Sequence, residues 1–125
     1  MAEMSDYLEN KILDYVLRDS ADWAPSTVYL ALHTADPTDA GSGAEVDVAR
    51  QAIEFDAAHA TTGVTQNTNI ETFTSMPVAV VTHIGIWDHV SAGNLLFHTA
   101  VTDTKTVASG DTISVAAGAI TITLA

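Results

Sequence analysis

The feature that most constrains this chain is a change of hydrophobic period at Pro25. Before it, residues 5–18, SDYLENKILDYVLR, place Leu8, Ile12, Tyr15 and Val16 on one helical stripe, which Leu13 and Leu17 widen. After it the period is two. In residues 28–34, VYLALHT, Val28, Leu30 and Leu32 fall on one side and Tyr29, Ala31 and His33 on the other. Residues 119–124, AITITL, alternate in the same way. Between these ends, strand-like segments occupy 50–55, 63–67, 70–73, 78–87, 95–101, 106–107 and 112–115, parted by Gly, Asp, Asn and Ser turns and by no further helix. This pattern argues for an antiparallel sandwich or barrel and against a parallel α/β sheet. The predicted fold is mainly β: an antiparallel β-sandwich of about eight strands with one N-terminal α-helix. The predicted division is 1–24 for the helix and its connector and 25–125 for the sandwich, in a single structural unit.

The helix carries its own start and stop signals. Ser5 is a predicted N-cap, Asp6 and Glu9 lie near the positive end of the helix dipole, and Arg18 lies near the negative end. So short a helix is marginal alone and must dock. Its stripe is wide enough to cover the sheet and still meet a neighbouring subunit.

Composition narrows the class of function. Aromatic residues make up only 6% of the chain, so the core must rest on Val, Ile, Leu and Ala. There is no cysteine, which excludes a disulfide framework and a thiolate zinc site. Sixteen acidic residues against four basic ones give a net charge of −12. Such a surface repels phosphate, so neither nucleic acid nor an anionic membrane is an expected partner. The acidic start lacks the features of a secretory signal, and no apolar run reaches the roughly 20 residues that span a bilayer.

The loop HTADPTDAGSGAEV, residues 33–46, is the densest cluster of potential ligands. Asp36, Asp39, Glu45 and Asp47 could supply oxygens to calcium, but the EF-hand spacing is missing. Asp36-Pro37-Thr38-Asp39 reads as a turn in which Pro37 fixes φ and the acids cap backbone N–H groups. His33, His83 and His98 lie in strand segments without zinc-ligand spacing, and the expectation is hydrogen-bonded packing residues, with no metal site. By alternation His83 shares a face with Val81, Gly85 and Trp87, and His98 with Leu96 and Ala100. No nucleophile elbow, P-loop or dinucleotide motif is present, so neither catalytic residues nor a cofactor are expected. Trp87 is expected in the core or at its rim, with sugar stacking the alternative, and Trp23 is expected to pack the helix onto the sheet.

The segments SDYLENKILDYVL, VYLALHTADPTDAG, THIGIWD, GNLLFH and SGDTISVAAGAITITL resemble a family of small proteins encoded among tailed-phage structural genes, often labelled phage tail fibre proteins. The resemblance covers nearly the whole chain and is vaguer between 45 and 70. It implies a non-enzymatic virion structural protein, assembled in the host cytoplasm. A fibre shaft leaves a sequence repeat, and this chain has none. The expectation is therefore an exterior capsid decoration, or cement, protein that braces the head against the major capsid protein. The alternative is a tail-fibre or receptor-binding module that joins tail proteins and meets the host through loops 36–45 and 88–94. The decoration reading implies a homo-oligomer, with a trimer favoured at a local threefold position and a dimer the alternative. The expected partner contacts are Tyr7, Leu8, Lys11, Ile12 and Tyr15. A third candidate, a metal-dependent hydrolase, would use the strand histidines.

Overall fold

In the computed structural model, residues 2–18 and 23–124 are described; the connector positions 19–22 lie outside the described residues. The elements follow in the order β1 (Glu3–Met4), α1 (Asp6–Arg18), β2 (Val28–His33), β3 (Gln51–Ile53), β4 (Val64–Gln66), β5 (Glu71–Phe73), β6 (Ala79–Trp87), β7 (Leu95–Val107), β8 (Ile113–Val115) and β9 (Thr121–Thr123). Every pairing is antiparallel. A five-stranded sheet runs β1-β7-β6-β2-β3, and two ribbons, β4-β9 and β5-β8, complete a sandwich-like body. The period change at Pro25 thus marks the passage from one helix to an antiparallel β fold.

Alternation explains the main core. Leu30 and Leu32 of β2 and Ile84 and Ile86 of β6 turn one face of the sheet toward Phe73 of β5 and toward Ile120 and Ile122 from the chain's end. Each such side chain contributes roughly 1.5–3 kcal/mol on burial. The opposite face holds a smaller cluster, Ala31, Trp87 and Leu95. Loop 34–44 lies over it. Gly41 stands there at φ +67, where a Cβ would come within 3.0 Å of the Leu95 Cβ.

Three features depart from the sequence pattern. β1 is two residues long, too short to show a period. The segments 95–101 and 106–107 form one continuous strand of 13 residues, because pairing with β6 carries on through the polar stretch 102–106. Strict alternation also fails twice. Between His83 and Val81 the β7 partner advances from Ala100 to Lys105, and Val81 turns into the main core, away from His83. A second register shift lies between Ile86 and Trp87, and there Leu96 joins the main core and leaves the face of His98. Bulges of this kind bend a strand and re-aim its side chains.

Candidate functional site

The root of α1 is tied to the sheet by its cap. The Ser5 hydroxyl accepts the Leu8 N–H at 3.2 Å and donates to the Leu95 carbonyl. The Ser5 N–H donates to the Leu96 carbonyl at 2.9 Å, and the Asp6 N–H to the Asp39 carbonyl at 3.2 Å. Leu8 sits in the main core, and Ile12 packs against it. Tyr7 meets Trp23 edge-on, with ring centroids 6.4 Å apart, and the Lys11 ammonium lies 5.6 Å from the Tyr7 centroid. Trp23 also packs against the main core, so it joins the helix root to the sheet. Beyond this root the helix bares apolar surface: Leu13 is 55% exposed, Tyr15 52%, Val16 69% and Leu17 74%. The five expected contact residues are therefore split. Leu8 belongs to the chain's own core, Tyr7, Lys11 and Ile12 are half-buried, and Tyr15 alone stands on the free surface.

The second feature is the polar side of the sheet. Register places His33 opposite His83 and Gly85 opposite His98, so the three histidines share one face of β2, β6 and β7. They do not meet at one point. His33 is buried, and burial holds its pKa below the ordinary 6.5. Its Nδ1 lies 3.4 Å from the Gly43 carbonyl. His33 Nε2 and Trp87 Nε1 are buried without a protein partner, and a Cβ on Gly85 would come 2.9 Å from each. The Nδ1 of His83 lies 2.9 Å from its neighbour's hydroxyl on Thr82. His98 is bracketed by acids: Nδ1 lies 3.2 Å from Asp36 Oδ1, and Nε2 lies 2.9 Å from Asp39 Oδ1 and 3.9 Å from Glu3 Oε2.

The loop acids thus take separate jobs. Asp36 accepts the Thr38 N–H at 2.9 Å, the turn expected from Asp-Pro-Thr-Asp. That bond and the nearby His98 and His83 hold the Asp36 carboxyl below its usual range. Glu45 turns away and grips Arg50 through two hydrogen bonds of 2.7 Å. Asp47 is exposed. Four acids converging on calcium are not what the fold builds.

Arg50 is the residue that strand patterning overlooked. Its Nη1 donates to the carbonyls of His89 and Ala92, both at 2.8 Å, and its guanidinium lies 4.1 Å from the Trp87 ring centroid. Loops 36–45 and 88–94, far apart in sequence, are thereby stitched together. The turn 88–94 is closed by Asp88, which accepts the Asn94 backbone N–H at 2.7 Å and its side-chain amide at 2.9 Å. The signal was available: Arg50 is one of only four basic residues in a strongly acidic chain. Trp87, buried against the Arg50 guanidinium and near the roughly parallel ring of His33, fits the core expectation and is too enclosed to stack on a sugar.

Among the described residues no helix is long and apolar enough to cross a membrane. Compared with known protein families, residues 3–123 match the one described as Podophage GP4 fiber I protein gp80. No curated protein matches the chain.

Proposed function

The chain belongs to the podophage GP4 fiber I protein gp80 family of phage virion structural proteins, and from that premise we propose that it is a compact, non-enzymatic fibre module. Its neighbours in the particle attach to the outer half of α1. The observation that carries this reading is the exposure of Leu13, Tyr15, Val16 and Leu17 on a helix whose root is locked into the core. Surface hydrophobes scattered singly are ordinary, but Leu13, Val16 and Leu17, at i, i+3 and i+4, share one side of the helix and form a patch of the kind interfaces use, with Tyr15 at its margin. A helix laying such a face against copies of itself gives a closed assembly, and a trimer is the proposed state. The acidic charge of −12 keeps free copies apart before assembly. In this arrangement the Arg50-linked loops 36–45 and 88–94 form a rigid surface available to the host. Light scattering coupled to size exclusion tests the assembly. The wild-type chain is expected to run as a trimer, and Val16→Asp with Leu17→Asp as a folded monomer. A wild-type monomer at high concentration would refute the attachment mode.

A second reading, exterior decoration of the capsid, draws support from the lack of a shaft repeat and from the small single body. Many weak contacts to the major capsid protein would then brace the head by multivalency. Copies per virion on a quantified gel separate the two: a handful supports the fibre, and hundreds support decoration.

A further inference from the structure

We propose that Glu3, Asp39 and the Nε2 of His98 form a divalent-cation site, with Asp36 holding the imidazole from the other side. It stands apart from the fibre assignment, because it rests on side-chain chemistry alone.

The imidazole of His98 is 3% exposed, yet three carboxylates face it. In the proposed site Nδ1 carries the ring proton and directs it to Asp36 Oδ1, 3.2 Å away. A neutral ring then turns the Nε2 lone pair toward Asp39 Oδ1 at 2.9 Å and Glu3 Oε2 at 3.9 Å. Three acceptors at such spacing repel unless a positive centre lies among them. A proton on Nε2 satisfies Asp39 alone, because Glu3 stands beyond hydrogen-bond reach. A divalent ion satisfies both. Among the described residues, Lys and Arg offer these acids no ion pair: Arg18 pairs with Asp14 and Arg50 with Glu45.

The dimensions fit an ion. The three donor atoms lie within 4.8 Å of one another. Metal–ligand bonds of about 2.0–2.2 Å place adjacent donors about 3.0–3.5 Å apart, which the 2.9 and 3.9 Å separations straddle. Asp36 on the second ring nitrogen completes a carboxylate–histidine–metal relay, which sets the tautomer and makes Nε2 a better ligand. One imidazole with two carboxylates suits zinc or manganese over calcium or magnesium. Glu3 and Asp39 are both exposed, so further positions on the ion open to solvent. The ion would join β1, loop 34–44 and β7, the three segments that hold the root of α1.

Calorimetric titration of the chelator-treated, full-length protein with zinc chloride tests this. The expected result is one equivalent bound in the micromolar range, with a rise in melting temperature. The double variant E3Q/D39N alters two exposed side chains and should fold. Its zinc affinity should fall at least about tenfold, and its zinc-dependent thermal shift should vanish. E54Q, remote from the cluster, should bind as the wild type does. Absence of a saturable single equivalent, or unchanged affinity in E3Q/D39N, overturns the proposal.

Discussion

The two faces of the central sheet are held by different physics. The face toward β5 and β9 is apolar: Leu30, Leu32, Ile84, Ile86, Phe73, Ile120 and Ile122 pack without direction. The other face carries His33, His83, His98 and Trp87, with Arg50 and Glu45 reaching across it. Burial drives the first, and its stabilisation grows with area. The second depends on matched donors and acceptors, in which one missing partner strands the others. The apolar face therefore supplies most of the stability, and the polar face sets where the loops sit.

The largest test of this contrast is Phe73→Ala. Phe73 is fully buried, and its removal is expected to cost about 4 kcal/mol, read as a lower urea midpoint with little change in slope. Next comes Arg50→Met, which leaves Glu45 and two carbonyls without their donor and is expected to cost about 3 kcal/mol. The two faces should differ in how double variants behave. Adding Glu45→Gln to Arg50→Met should recover part of the loss, because it removes the stranded charge. Adding Val81→Ala to Phe73→Ala should only deepen the loss. Arg50→Lys should fail to rescue, since an ammonium cannot reproduce the two-pronged bond.

A smaller effect separates the faces by pH. The folded pKa of His33 lies below its ordinary 6.5, so the unfolded chain binds that proton more readily. Its contribution to stability is complete above 6.5 and is lost as pH falls through the window between 6.5 and the folded value. Melting temperatures of wild type and His33→Gln from pH 7.5 to 5 should converge as pH drops. A constant gap would show that folding leaves the His33 pKa at its ordinary value.

The smallest effect is a gain. Glu71, on β5, is buried and lies near Glu54, and burial first, then that charge, pushes its carboxyl above 4.5. A raised carboxyl favours the fold at low pH and opposes it as pH rises through the folded value. Glu71→Gln should thus raise the melting temperature at pH 7 by about 2 °C, and a fall would mean that its charge is used.

The apolar face was legible because alternation is local: Leu30 and Leu32, or Ile120 and Ile122, declare their common side within a few residues. The helix was legible for the same reason, from its period and its Ser5 cap. How far that helix docks was not. Leu8 and Tyr15, seven positions apart, belong to one stripe, yet one is core and the other surface. The length of β7 was hidden by its polar middle, and Val81 and Leu96 were misplaced because a bulge leaves no mark in the period. The His98 cluster was further out of reach. Asp39 stands 59 positions from His98, and Glu3 meets it only because β1 pairs with β7.

By itself, then, the sequence determined the class of fold, the inward-facing rows of Leu and Ile, the capped helix and the acidic surface. Each follows from neighbours a few positions apart and from the preference of apolar side chains to leave water. Tertiary structure alone decided which half of α1 remains bare, how Arg50 joins two loops, and that three acids surround one histidine. Those depend on which strands lie side by side, and strand pairing brings together residues that no local pattern relates.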